Sequence, residues 1–136
     1  MGITYEWRGS FSNTEANALH AEAFETRLFR DDEWNWVELT DRHSLGWVVA
    51  RDDSAFVGFV NVVWDGLVHA WIQDLMVARA ARGDGVGTAL VEHAVSGARA
   101  AGCEWLHVDF DEELSPFYFD ACGFRPTTAG LIPLQA

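Results

Sequence analysis

The sequence predicts an α/β fold: a mixed sheet of six to seven strands flanked by about four helices, in the order β-α-α-β-β-β-α-β-α-β(-β). Three observations carry this. Strand-like runs separated by turn signals fill residues 46–77. The last of them, Ala70 to Val77, feeds a glycine-broken turn, Arg82 to Gly87, that opens a helix with an apolar stripe. A further alternating run follows that helix, and a helical crossover between two strands makes them parallel neighbours.

The elements can be justified in order. Ile3 to Arg8 alternates as a first strand. Ser12 or Asn13 then offers an N-cap with Glu15 early in the turn, before Ala16, Leu19, Ala23 and Phe24 at helical spacing. Asp31 to Glu33 breaks the pattern, and a second helix is expected to turn Trp36, Val37 and Leu39 or Thr40 inward before Gly46. Gly46 to Ala50, Ala55 to Trp64 and Val68 to Val77 read as an antiparallel meander. Asp52-Asp53-Ser54 turns the first pair, and Asp65-Gly66 is a two-residue hairpin signal for the second. Val86, Leu90, Ala94, Val95 and Ala98 stripe the next helix, which Ala101-Gly102 stops. Glu104 to Phe110 alternates as a fifth strand. An acidic run, Asp111 to Glu113, and a short aromatic helix over Pro116 to Ala121 follow. Arg125 to Thr128 and Leu131 to Leu134 are expected to close the sheet.

Composition narrows the functions. At 136 residues the chain reads as one domain, residues 1–136, and seven tryptophans and nine phenylalanines supply bulk for its core. No apolar run reaches the roughly 18 residues that span a membrane, and the first residues lack a signal peptide's basic-then-apolar layout. A cytoplasmic protein without a membrane partner is therefore expected. A formal charge of −12 argues against nucleic acid, whose phosphates need basic patches. Every basic residue is arginine, so a P-loop lysine, a kinase lysine and Schiff-base chemistry are all excluded. The cysteines, Cys103 and Cys122, make neither a disulfide framework nor a metal-ligand spacing, and no metal is expected.

The turn Arg82-Gly83-Asp84-Gly85-Val86-Gly87 fails the dinucleotide fingerprint, because the last glycine of GxGxxG, counted from Gly83, falls on Thr88. A strand entering a glycine turn that opens a helix still makes an anion site, since the first helical amides point outward and the dipole favours negative charge. In context the turn becomes more specific. The strand Asp74-Leu75-Met76-Val77 followed by Arg-x-x-Gly-x-Gly (Arg82, Gly85, Gly87) resembles the acetyl-CoA loop of the GNAT superfamily of N-acetyltransferases. Phe117-Tyr118 and Gly123-Phe124 resemble that family's second signature, and the element order is similar over essentially the whole chain.

The resemblance implies roles. Backbone groups of Leu75, Met76 and Val77 would pair with the pantetheine arm of acetyl-CoA. Amides of Gly83, Asp84, Gly85, Val86, Gly87 and Thr88 would hold its pyrophosphate, with Arg82 opening the loop. The acceptor would be a primary amine on a small molecule, attacked directly in a ternary complex. Tyr118 would protonate the leaving thiolate, because a phenol near 10 lies close to a thiol. Two departures stand out. Asp84 occupies a position where relatives commonly carry a basic or neutral residue. Relatives also place three residues between the tyrosine and Gly-Phe, whereas Tyr118 has four, so the strict slot holds Phe119. Either the short helix is locally shifted or water replaces the tyrosine.

Other candidates carry two readings each. Asp74, beside Gln73, serves as general base or hydrogen-bonds the backbone at the strand splay. His107 and Asp109 share one strand face and flank the acceptor or face solvent. His20, His43 and His69 are isolated in sequence and read as structural or exposed. Trp34 and Trp36, with Glu33, Glu38 and the Asp111 to Glu113 run, recognise a cation or pack the core. The expectation is therefore an acetyl-CoA-dependent N-acetyltransferase acting on a small amine as monomer or homodimer. The alternatives are acetylation of a protein N-terminus or lysine, and an acyl-CoA sensor without catalysis.

Overall fold

The computed structural model describes residues 2–135. Five strands, β1 (Ile3–Trp7), β2 (Ser44–Asp52), β3 (Ala55–Trp64), β4 (His69–Val77) and β5 (Trp105–His107), form one sheet in chain order. The first four are antiparallel, and β4 and β5 are parallel, as the crossover requires. The helices are α1 (Asn13–Phe24), α2 (Trp36–His43) and α3 (Val86–Ala100), and a π-helical turn spans Pro116–Ala121. None of the described helices is long and apolar enough to cross a membrane.

Local chemistry sets the helix ends. Ser12 caps α1 in a reciprocal box with Glu15, so two orphan amides are satisfied at once. Asn35 caps α2 by accepting from the Glu38 amide at 3.0 Å. The chain between these helices is pinned by a buried side chain. Asn17 accepts from the Trp36 indole at 2.8 Å and donates to the Trp34 carbonyl at 3.2 Å.

The sheet has a core on each face. Val48, Ala50, Val60, Val62, Ala70 and Ile72 meet Val86, Leu90, Val91, Ala94 and Ala98 of α3. Burying each of Val86, Leu90 and Val91 stabilises the fold by about 1.5–3 kcal/mol. On the opposite face Phe59 and Met76 meet Ala16, Leu19 and Trp36 of α1 and α2. The Trp7 ring lies between Gly46 of β2 and Gly97 of α3, where a Cβ on either glycine would overlap the indole.

The expected six to seven strands are corrected to five. Residues 125–135 form no strand: Pro126 and Pro133 lack an N–H to donate, and Leu131, Ile132 and Leu134 stand in solvent. The fifth strand is also shorter than Glu104 to Phe110. Burial still alternates out to Phe110, but pairing stops at His107 because β4 turns away from it. The hairpin at Asp65-Gly66 is wider than two residues. Asp65 Oδ1 accepts from the amides of Leu67 and His69 and closes a four-residue loop, 65–68.

Candidate active site

A fork in the sheet defines the site. Phe59 pairs with Met76 and Asn61 with Gln73, so β4 carries one residue more than β3 between those pairs. The surplus is a β-bulge at Asp74-Leu75, and Asp74 has a φ of +56°, in the left-handed region. A bulge bends its strand and raises the local twist. Pairing between β4 and β5 accordingly runs only from His69–Trp105 to Trp71–His107. From Gln73 to Val77 the β5 side of β4 has no strand beside it among the described residues. That edge is where an extended chain can pair as an added strand.

Beyond Val77 the edge leads to the glycine turn. Gly83 and Gly85 have φ of +88° and +78°, a region costly for residues with a Cβ, and the space where a Cβ would sit is open at both. Gly85 caps α3 without any side-chain hydrogen bond, so the amides of Val86, Gly87 and Thr88 remain unspent. This supplies the donors and dipole that a pyrophosphate needs. The Arg82 guanidinium donates to the Ala23 carbonyl at 3.4 Å, and Arg79 pairs with Glu25 at 3.5 Å, tying α1 to the turn. Asp84 is exposed and pairs with neither arginine; its charge points to solvent.

Asp74 lies under α1. Burial pushes its carboxyl above the ordinary carboxylate range, and the His20 charge opposes that shift. Burial pulls His20 below its ordinary value, with Asp74 acting the other way. The two are therefore electrostatic neighbours across the α1–β4 contact. The His20 ring is surrounded by Phe24, Phe29, Trp34 and Trp36, with centroids at 5.0, 5.5, 6.5 and 5.5 Å, and its Nδ1 is buried without a partner. Sequence reading treats His20 as isolated. Only its placement one turn before Phe24 on a capped helix hints otherwise.

Tyr118 is buried in the π-turn. It stacks on Phe110 at 4.5 Å and meets Phe117 and Phe124 edge-on. The Cys122 amide bonds the Phe117 carbonyl, an i to i+5 step, at 2.9 Å, and the Phe124 amide bonds the Tyr118 carbonyl at 3.0 Å. A π-turn is an α-turn with one residue inserted. The extra residue between Tyr118 and Gly123 is thus absorbed inside the turn, and Tyr118 is buried while Phe119 is only partly so. The turn packs on α3, since a Cβ on Gly87 would lie 3.2 Å from the Phe117 ring. Burial pushes the Tyr118 hydroxyl up to about 12. A free thiol titrates near 8.5, so full proton transfer to a thiolate is uphill by about 4–5 kcal/mol from this resting state.

The remaining candidates separate. His69 and His107 are not isolated: His69 Nδ1 and His107 Nε2 are 2.8 Å apart, and Trp71 stacks on His107 at 4.9 Å. Ala70 and Ile72 face α3, so His69, Trp71 and His107 project from the other face, at the crotch of the fork. Asn61, directly opposite Gln73, holds a fully buried Nδ2 without a partner, while its Oδ1 accepts from the Ser44 hydroxyl. Glu33 forms a bidentate pair with Arg27 at 2.9 and 3.0 Å, and Glu38 pairs with Arg42 at 3.1 Å. Trp36 is fully buried against α1, whereas Trp34 is 45% exposed. Burial raises Cys103 and Cys122 above ordinary thiols. No group of three or more metal-ligating side chains occurs among the described residues.

Comparison with known proteins agrees with this geometry. The model of the acetyltransferase (GNAT) family matches residues 5–124. A GNAT-family acetyltransferase from Streptococcus pneumoniae superposes with a TM-score of 0.75 at 20% identity, covering 98% of this chain and 100% of that one. Glucosamine-6-phosphate N-acetyltransferase from Arabidopsis thaliana gives 0.73 at 18%, covering 96% and 97%. AAC(6')-Iy in complex with the bisubstrate analogue CoA-S-monomethyl-acetylneamine gives 0.73 at 16%, covering 100% and 99%. A search of curated protein sequences gives no significant match. At these identities the superpositions speak to the fold, and the family match speaks to descent. The chain belongs to the GNAT family of acetyltransferases, whose members use acetyl-CoA.

Proposed function

We propose that this protein transfers an acetyl group from acetyl-CoA to a primary amine on a small molecule. The observation that carries the reading is the continuous path from the unpaired β4 edge at Leu75, Met76 and Val77 to the uncapped amides of α3. The edge offers backbone groups to the amides of the pantetheine arm. Gly83 to Thr88, opened by Arg82, form the cradle for the pyrophosphate. Acetyl-CoA supplies the acetyl group as an activated thioester; the amine ends as an amide and CoA as a free thiol.

The residues of this chain manage protons. An amine arrives as its ammonium form and must lose a proton to become nucleophilic. Asp74, at the bulge of β4 and more basic than an ordinary carboxylate, takes it. Tyr118 stays neutral across the working pH range and donates a hydrogen bond toward the departing sulfur, whose proton comes finally from Tyr118 or from water. The raised thiols of Cys103 and Cys122 argue against an acyl-enzyme and support direct transfer in a ternary complex.

Thiol release from acetyl-CoA in the presence of a panel of amines tests this. Release that depends on the amine is expected, with loss of about 100-fold in kcat for Tyr118→Phe. Wild-type turnover of Tyr118→Phe across pH would make Tyr118 a packing ring only. A silent acyl-CoA sensor is the second reading, favoured by the Tyr118 hydroxyl lying far above a thiol. It predicts acetyl-CoA binding without thiol release.

A further inference from the structure

We propose that two copies of this chain assemble by exchanging a segment: residues 127–132 of each copy pair as a strand on the open edge of β5 in the other.

β5 ends the sheet, with β4 on one side and no described strand on the other. The Trp105 amide donates to the Val68 carbonyl at 3.1 Å and so points toward β4. Backbone groups alternate sides along a paired strand, and the amide and carbonyl of Leu106 therefore face outward, away from β4. Burial keeps its alternation from Trp105 to Phe110, which gives an extended run as long as residues 127–132. β5 carries no carboxylate or arginine. The other edge of the sheet, β1, carries Glu6, and charge on an edge strand opposes pairing.

The segment after Phe124 is the complementary part. It starts beside β5, where the Arg125 guanidinium lies over the Trp105 ring at 5.9 Å. From there no backbone hydrogen bond holds residues 125–135 to any other described residue. Leu131, Ile132 and Leu134 are 76%, 82% and 95% exposed, so the segment does not lie on its own β5. Pro126 and Pro133 have no N–H, and they bracket residues 127–132, each of which can both donate and accept. Thr127, Thr128 and Ile132 favour extended backbone. Residues 126–135 carry no charge in a chain of net charge −12, so two such segments can approach where most of the surface would repel.

A second copy is the occupant because this chain carries both halves. Around a two-fold axis each copy gives one strand and receives one, which closes the assembly at two and leaves neither β5 nor the apolar segment unpaired. A different protein would fill the edge and leave Leu131, Ile132 and Leu134 in water. The pairing uses the side of β5 away from β4, and the fork stays open.

Sedimentation equilibrium of the full chain, beside hydrogen exchange at the same concentrations, tests this. At about 50 μM a dimer is expected, and the amides of Leu106 and of residues 127–132 should exchange about 100-fold more slowly than after dilution to monomer. Ile132→Asp should raise the dimer dissociation constant by about 100-fold or more, because two carboxylates would enter the interface, while the circular dichroism of the separate protomer stays unchanged. Ile132→Val should keep the dimer. A monomer at about 50 μM overturns the proposal, including one whose 127–132 amides are protected, since the segment would then lie on its own β5. So does a dimer that survives Ile132→Asp, or one in which the Leu106 amide exchanges as fast as in the monomer.

Discussion

Replacing Gly85 with alanine isolates the backbone of the anion cradle from every other feature. Gly85 has φ +78° and ψ +13°, and a Cβ added there meets nothing within 4 Å. The substitution therefore brings no clash, only the left-handed penalty of about 1–2 kcal/mol for a residue with a Cβ. A less flexible unfolded chain returns about 0.4–1 kcal/mol. If the loop holds its shape, the melting temperature falls by up to about 5 °C. If it relaxes instead, the strain leaves the stability and appears in binding, and the dissociation constant for CoA rises by about 5–30-fold. Calorimetric titration beside thermal melts reads both. Gly85→Asn is the control, because asparagine tolerates this region and should lose less of either quantity. Wild-type CoA affinity and wild-type stability together in Gly85→Ala would falsify the claim that this turn's conformation holds the pyrophosphate.

Three further outcomes are expected. Asp84→Arg should tighten CoA binding by about fivefold at low ionic strength, because an exposed unpaired carboxylate beside the cradle becomes a cation; the gain should shrink with added salt, and unchanged or weaker binding counts against the cradle's position. Asp74→Asn should stop turnover and raise thermal stability at pH 7. The folded pKa of Asp74 lies above its unfolded value, so its ionised form destabilises the fold above that pKa, and the advantage of asparagine should vanish as pH falls below about 3.8, where both states are protonated. A melting curve for Asp74→Asn that is no higher than wild type at pH 7 would remove the burial argument. Gly97→Ala should cost about 1–3 kcal/mol by driving a methyl into the Trp7 ring, read by chemical denaturation; an unchanged midpoint would mean that the indole is free to move.

Much of the scaffold could be read from local pattern, because caps, alternation and crossover length act over a few residues. Ser12 with Glu15, the apolar stripe of α3 and the parallel β4–β5 pair needed no distant information. The two C-terminal strands failed for the opposite reason. Alternation near Leu131 says that a segment can be extended, but a strand exists only when a neighbour offers an edge. The candidate site divides similarly. The glycine turn is contiguous, and its place at the start of α3 was legible. His20 was not, because its surroundings come from β4 and from the chain between α1 and α2, and a lone histidine carries no periodic signal. The same holds for His69 and His107, which are separated by 38 positions and joined only by strand register. The carboxylates Glu33 and Glu38 misled in the other direction: as letters they are free charges, and in the fold Arg27 and Arg42 occupy them.

The wide turn at Pro116–Ala121 makes the choice of buried ring at this point a matter of helical register. Each residue advances an α-helix by about 100°, so tightening this turn to α geometry would rotate its first part by one position relative to Gly123-Phe124. In that register Phe119 would occupy the direction now held by Tyr118, and the site would contain a ring with no proton to give. The hydroxyl is therefore specified by two things at once, a tyrosine at position 118 and a hydrogen bond from the Cys122 amide to the Phe117 carbonyl rather than to Tyr118. A one-residue deletion between Tyr118 and Gly123 would restore the commoner spacing and keep the tyrosine in place, whereas a change that only closes the turn would keep every residue and lose the buried hydroxyl.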